Sequence, residues 1–405
     1  MIMHKAPEAV SVPVCASNRI NSPSMADELI SSGVCDLVSM ARPMLADPFF
    51  VAKAAAGRAD EINTCIACNQ ACLDHTFQAK RASCLVNPRA CHETELRYLP
   101  TQNKKRVAVV GAGPAGLAAA TVAAERGHDV TLFDADDRIG GQFNIARQIP
   151  GKEDFNETLR YFGKMVEKWG VKLMLNTRVD ADRLLAEGFE HVVVATGVTP
   201  RKPAIPGVDH PMVLSYIDVL LHKKPVGRRA AIIGAGGIGF DVGEYITHHH
   251  SDDERQQWYR EWGVDTTLSA RSGLVEPAVA PSPRQVYLLQ RKESALGKNL
   301  GKTSGWVHRA VLKQKGVEMI AGASYDRIDD QGLHITVGKQ TRLLEVDTVI
   351  ICAGQDSRRD LADALAAKGA ESRGVKVHVI GGADVASELD AKRAINQGSR
   401  LAASL

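Results

Sequence analysis

The stretch Val107-Ala-Val-Val-Gly111-Ala-Gly113-Pro114-Ala115-Gly116-Leu-Ala-Ala-Ala120, followed by Asp129-Val-Thr-Leu-Phe-Asp134, decides the fold. A short apolar run ends in closely spaced glycines, and an alanine-rich helical run follows. Gly111 permits a tight turn out of a strand, Gly113 lets backbone approach a pyrophosphate, and Gly116 lets the helix pack closely. Pro114 and Ala115 open the helix, whose N-terminus faces the anion. Asp134 closes the second strand about 20 residues on, where an acid accepts both ribose hydroxyls. A lone glycine triplet is weak, but strand, turn, helix and acid together make a dinucleotide fingerprint. Ile139-Gly140-Gly141-Gln142 adds a second small-residue turn, and Gly141 and Gln142 there offer backbone against which a flavin could lie.

A second fingerprint follows in Ala230-Ala-Ile-Ile-Gly234-Ala-Gly236-Gly237-Ile238-Gly239. The acidic Asp252, Asp253 and Glu254 follow His248 in no strand and read as solvated loop charge. The run Gln285–Gln290 is the better second strand, and it ends in Arg291-Lys292. Cations there pair with a ribose 2′-phosphate that an acid would reject, which favours NADPH over NADH. The plainer alternative is that both side chains cap a strand at the surface.

Ala195-Thr-Gly197 lies between the fingerprints and Ile351-Cys-Ala-Gly354 follows the second. This order resembles the flavoprotein reductases in which an NAD(P)H domain is inserted into a FAD domain. Ile380-Gly-Gly-Ala-Asp384, with a helix over 390–401, looks like the segment that returns to hold the flavin ring and ribityl chain. That likeness adds Asp384, Arg393 and Ala394 to the cofactor-binding set. No cysteine occurs in 140–147 or 234–245, so electrons are expected to leave the flavin by a route other than a disulfide.

The 405 residues suit two or three domains. A net charge of +3 gives no electrostatic case for nucleic acid or a membrane surface. No run of 18 apolar residues exists, and Met1–Val10 lacks the apolar core of a signal peptide. A cytoplasmic location is therefore expected. The segment 248–283, polar and rich in charge and proline, reads as an insertion or mobile loop.

Of eight cysteines, Cys65, Cys68, Cys72, Cys84 and Cys91 cluster, while Cys15, Cys35 and Cys352 stand in apolar runs as small buried hydrophobes. Clustered cysteines in a reducing compartment hold a metal more often than they form disulfides. The spacing of Cys65, Cys68, Cys72 and Cys84 favours an iron–sulfur cluster. Structural zinc more often uses two Cys-x2-Cys pairs, and zinc or free thiols remain the alternatives. His75, Cys91 and His92 are second choices as ligands. FAD takes two electrons as hydride and gives them up singly, which suits a cluster beside it.

Glu61-Ile-Asn-Thr-Cys65-Ile-Ala-Cys68-Asn-Gln-Ala-Cys72-Leu-Asp and Ser83-Cys84-Leu-Val-Asn-Pro-Arg-Ala-Cys91-His-Glu resemble the bacterial NADPH-dependent 2,4-dienoyl-CoA reductase family, which includes trimethylamine dehydrogenase and enoate reductases. Gly140-Gly-Gln-Phe-Asn-Ile-Ala and Leu300-Gly-Lys-Thr-Ser-Gly-Trp306 extend the likeness over nearly the whole chain. The resemblance implies an α/β chain with a remnant of a (β/α)8 FMN barrel over 1–60, then a 4Fe–4S segment over 61–98. A FAD domain over 99–200 and 352–405, interrupted by an NADPH domain over 201–351, completes it. Electrons would run from NADPH to FAD, cluster, FMN and an acyl thioester of unsaturated fatty acid oxidation. Arg19, Ala41 and Arg42 match the family's grip on the FMN phosphate, with simple surface charge as the plainer reading of both arginines.

Only the last two βα units of the barrel have counterparts in 1–60, so FMN is expected only if the barrel is completed. The family's proton donors have no counterpart, and no catalytic residue is assigned. The resemblance therefore leaves the chain as a fragment, a split-gene half or a degraded copy. Its rival readings are a free-standing diaphorase or ferredoxin-type reductase, and a non-catalytic subunit docking on a separately encoded barrel.

Overall fold

The computed structural model describes residues 10–249, 251–387 and 390–405. Of Met1–Val10, read above for a signal peptide, only Val10 lies within them. Among the described residues no helix is long and apolar enough to cross a membrane.

Two five-stranded parallel sheets dominate. In the first, the strands run in the order Lys376–Val379, His191–Val194, Arg106–Val110, Asp129–Phe133 and Lys172–Met174. A parallel sheet needs cover on both faces, and the alternation along Val107–Val110 supplies it. Val107 and Val109 face the fingerprint helix Pro114–Glu125, the helix Phe155–Lys168 and the C-terminal helix Ala391–Ser404. Ala108 and Val110 face the helices Ala181–Ala186 and Asp360–Ala367.

The second sheet runs Glu318–Ile320, Gln285–Leu289, Arg229–Ile233, Thr348–Ile351 and Val213–Ser215. Helices Tyr216–Leu220, Gly237–Thr247 and Gly305–Gln314 cover one face. The other face packs on an antiparallel sheet of Ala323–Asp329, Gly332–Val337 and Gln340–Leu344. An antiparallel pair, Val198–Pro200 with Gln355–Ser357, bridges the two units. The architecture is that of two Rossmann-like units in one chain.

Ahead of them, Cys15–Ser17 and Leu37–Ser39 pair in parallel, with Cys15 opposite Leu37. The crossover helix Pro23–Ser31 joins them, as parallel pairing requires. Residues 61–98 are irregular apart from the short helices Ala59–Glu61 at their start and Leu73–Thr76.

Two expectations are corrected. Cys15 is exposed, because its strand buries only Ala16, so just Cys35 and Cys352 are buried as expected. The segment 248–283 is not a bare loop. It carries the helix Glu254–Glu261, and Asp253 Oδ1 caps it by accepting from Gln256 N–H at 3.0 Å. Trp258 and Trp262 of this segment approach each other with ring centroids 6.0 Å apart, and Trp262 meets Trp306 edge-on.

Candidate functional site

The two glycine turns repeat one geometry. Gly111 and Gly234 have φ of +109° and +111°, which only glycine adopts without strain. A Cβ on Gly116 would run into the carbonyl oxygen of Gly111, and one on Gly239 into that of Gly234. A Cβ on Gly113 or Gly236 would meet no protein atom within 4 Å. Each turn is thus closed where helix meets strand and open where a pyrophosphate would lie. Gly113 and Gly236 are also the helix N-caps, without side-chain caps, so the first N–H groups stay available to an anion.

The first turn gathers the remaining flavin candidates around it. Ala195 abuts Gly111, and Gly197 follows in the same crossover. Asp134 Oδ2 accepts from Ala112 N–H at 2.5 Å and Oδ1 from Asp136 N–H at 2.8 Å, which fixes the carboxylate at the turn. Gly140 N–H donates to Ala112 O at 2.8 Å, and Gly141 lies over Gly113. From the C-terminal helix, Gln397 accepts from Gly381 N–H at 2.8 Å and donates to Asp384 Oδ2 at 2.9 Å. Gly398 packs against the carbonyl of Ala115, while Arg393 donates to Val385 O at 2.7 Å and Ala394 is buried. Gly381, Gly398 and Ala394 therefore pack beside Ala115 of the turn, while Asp384 and Arg393 are held by Gln397 and Val385.

At the second turn, Gln285–Leu289 lies beside Arg229–Ile233, and Gly234 N–H donates to Leu289 O at 2.9 Å. Arg291 and Lys292 leave that strand end exposed.

Sequence reasoning overlooked the seam between the units. The Tyr216 hydroxyl hydrogen-bonds Gln142 and lies 3.3 Å from Gln355 Oε1. Gln355 Nε2 is buried with no partner among the described residues, a donor left over beside the flavin-side turn. Lys152 and Asp241 pair across the seam at 2.5 Å. The signal available was Gly354-Gln355 after the second fingerprint, which marks a return strand.

Cys65, Cys68, Cys72 and Cys84 line one pocket, together with Arg42 and Asn69. Ala67 and Asn69, between the first three, have φ of 50° and 60°, a strained backbone that wraps the loop around the pocket. Burial pushes the Cys68 and Cys84 thiols up to about 12, and neighbouring thiols push the same way. Burial also raises Cys65. A cation in the pocket would favour the thiolate over the thiol. Among the described residues no three His, Cys, Asp or Glu side chains converge tightly enough for one metal ion. Cys91 is exposed outside the pocket, with its N–H bonded to Glu93.

Next to this pocket lies a cavity of about 170 Å3 lined by Ser17, Asn18, Arg19, Ala41, Arg42 and Cys65. It sits where the two N-terminal strands end, the phosphate-binding end of a barrel. Asn18 and Arg19 have φ of 75° and 60°. Arg42 donates to Asn18 Oδ1 at 2.8 Å and to Asn69 Oδ1 at 2.7 Å, tying the cavity to the cysteine loop. Arg19 is 61% exposed and pairs with Asp154 at 3.5 Å.

The pyridine nucleotide-disulphide oxidoreductase family matches residues 105–389, and the NADH:flavin oxidoreductase / NADH oxidase family matches residues 2–61. A metal reductase of Desulforamulus reducens is 33% identical over 366 residues, 89% of this chain and 54% of that protein. A bilirubin reductase of Mediterraneibacter gnavus is 39% identical over 239 residues, 59% of this chain and 37% of that one. A solved 2-naphthoyl-CoA reductase complex superposes with a TM-score of 0.84 at 29% identity, over 98% of this chain and 55% of the other. The chain thus spans about half the length of the metal reductase and of the naphthoyl-CoA reductase.

Proposed function

Because the chain belongs to the pyridine nucleotide-disulphide oxidoreductase family, we propose that it takes hydride from NADPH onto FAD and passes electrons singly to a 4Fe–4S cluster. The observation that carries this reading is the packing of Cys65, Cys68 and Cys84 against the same apolar core as the flavin-side fingerprint helix. FAD, when bound, supplies the conversion from hydride to single electrons.

This chain's own residues do the holding. Gly111, Gly113 and Gly116, with the N-terminus of their helix, cradle the FAD pyrophosphate, and Asp134 takes the adenosine ribose. Gln142, Asp384, Arg393 and Ala394 meet the flavin end. Gly234, Gly236 and Gly239 hold the nicotinamide coenzyme, and Arg291 with Lys292 selects its 2′-phosphate. Cys65, Cys68, Cys72 and Cys84 hold the cluster.

The cavity bounded by Arg19, Ala41 and Arg42 would take the FMN phosphate once the rest of a barrel is supplied, and a 2,4-dienoyl-CoA or related unsaturated thioester would then be the acceptor. A second reading, a diaphorase or ferredoxin-type reductase, draws on Cys65 lining that solvent-connected cavity as well as the cysteine pocket. Paired assays on one preparation test both. NADPH-driven dye reduction with no thioester turnover supports the core proposal. Thioester turnover restored by an added barrel polypeptide supports the dienoyl-CoA reading, and electron delivery to ferredoxin supports the second.

A further inference from the structure

Leu300-Gly-Lys-Thr-Ser-Gly-Trp306 has no place at either nucleotide turn, yet it is where the cysteine segment meets the second sheet unit. Directly after Cys72 the chain makes one helical turn, Leu73–Thr76. Its Asp74 is buried, only 5% exposed, a costly place for a carboxylate unless donors reach it. Asp74 Oδ1 accepts from the Thr303 backbone N–H at 2.9 Å and from the Thr303 hydroxyl at 2.7 Å. A Cβ on Gly301 would stand 2.7 Å from Oδ2, so the loop closes over the carboxylate only with glycine there. Lys302 donates to Phe77 O at 3.3 Å, just beyond the same turn.

The opposite side of the turn faces the flavin unit. His75 Nε2 lies 3.3 Å from Lys392 Nζ, and Nδ1 lies 2.9 Å from Arg81 O. An ammonium can only donate, so Nε2 accepts and Nδ1–H donates to the carbonyl. Lys392 is in the first turn of the C-terminal helix whose Gln397 holds Asp384. Thr303 leads into the helix Gly305–Gln314, which packs on the helix rising from Gly236. One turn hung from Cys72 thus touches both nucleotide units.

We infer that Asp74 and His75 are positioning residues, which hold the nicotinamide-nucleotide unit and the flavin-side helix at a fixed separation for hydride transfer. Ile145 and Ile149 of the flavin unit also seat in the core of the nicotinamide unit, and Lys223 donates to Gln148 at 2.8 Å, but neither contact involves the cysteine turn's own anchors at Thr303 and Lys392. A two-stranded ribbon is marginal by itself, and the Lys152–Asp241 pair is partly exposed. Hydride transfer demands near-contact, and a misplacement of about 1 Å can cost on the order of a hundredfold in rate. The inference rests on the proposed NADPH-to-FAD transfer, but the contact itself can be read independently.

The test uses the full flavin-loaded chain, with amide hydrogen exchange over 300–306 and the rate of flavin reduction at saturating NADPH. Asp74→Ala should speed exchange there and slow flavin reduction by about tenfold or more, with KM for NADPH and flavin content unchanged. Asp74→Asn keeps an oxygen for both Thr303 donors and should restore most of both readings. Thr303→Val removes only the hydroxyl, should fall between, and should add little to Asp74→Ala because the two share one contact. His75→Ala should instead speed exchange over 391–394. If Asp74→Ala loses its flavin, Thr303→Val decides by the same exchange reading. Unchanged exchange in these variants, or Asp74→Asn behaving like Asp74→Ala, would overturn the inference. A parent protein whose flavin NADPH does not reduce would sink the proposed function, while the exchange result still decides whether Asp74 and His75 hold the two units.

Discussion

Gly141 stands against Gly113: a Cβ on Gly141 would lie 3.1 Å from the Gly113 Cα, whereas a Cβ on Gly113 itself would meet no protein atom within 4 Å. The flavin-side turn is therefore walled by protein on one side and open on the other.

This asymmetry separates a binding mutation from a folding one. Gly113 has φ of −78°, which any residue adopts, so Gly113→Val should leave the fold intact and place its methyls in the pyrophosphate space. Flavin content per chain should fall sharply, with a melting temperature matching that of the flavin-stripped parent. Gly116→Val drives a side chain into backbone and should destabilise by about 1–3 kcal/mol or more. Equal flavin retention in Gly113→Val and parent would refute the assignment.

On the proposed reading coenzyme choice falls to Arg291 and Lys292, exposed just past the end of Gln285–Leu289. Changing both to Ala should raise KM for NADPH about tenfold or more, since a charge-assisted contact is worth about 1.5–3 kcal/mol. KM for NADH should stay nearly the same. A proportional loss with both coenzymes would return the pair to ordinary surface charge.

The metal content follows from which thiols share the pocket. Anaerobically purified protein should hold iron and acid-labile sulfide in near-equal amounts, lost on replacing Cys65, Cys68, Cys72 or Cys84 with Ser. Cys91→Ser should change little, because Cys91 is exposed and outside the pocket. Zinc without sulfide would remove the electron-transfer role.

His191 and His378 stack with ring planes 4° apart, and Nδ1 of His191 lies 3.0 Å from Nε2 of His378. Burial, and for His191 its partner as well, holds both below the ordinary value of 6.5. The fold thus prefers both rings neutral, and the unfolded chain binds more protons as pH falls below 6.5. Stability from this pair is complete above that pH and is lost on acidification through the lowered folded values. His378→Gln should flatten the fall in melting temperature between about pH 6.5 and 5. An identical slope in parent and variant would contradict the coupling.

Both glycine turns were legible because each residue meets a local steric demand: Gly111 its positive φ, Gly116 its close approach to carbonyl oxygen. The central parallel strands were legible as apolar runs buried on both faces, whereas the half-buried edge strand Val213–Ser215 was not. The antiparallel sheet over 323–344 was not, because Asp326, Arg327, His334 and Arg342 interrupt its alternation; Arg327 pairs along its own strand with Asp329, and the others pair with neighbouring strands. The helix Glu254–Glu261 was hidden by its charge, since its support comes from the Asp253 cap and from the Trp258–Trp262 contact rather than from an apolar stripe. Asp74 and Tyr216 were invisible for another reason. Their partners, Thr303 and Gln355, lie far away in sequence and meet only when two sheets dock.

The central claim is that this single chain carries electrons from NADPH through FAD to a cluster held by Cys65, Cys68, Cys72 and Cys84. The most direct test is anaerobic titration of the purified protein with NADPH, followed by visible absorption and low-temperature electron paramagnetic resonance on the same samples. The account predicts flavin bleaching together with the spectrum of a reduced 4Fe–4S cluster, and loss of that spectrum but not of flavin bleaching in Cys68→Ser. Flavin bleaching in the parent with no reduced-cluster signal, despite full iron and sulfide content, would contradict it.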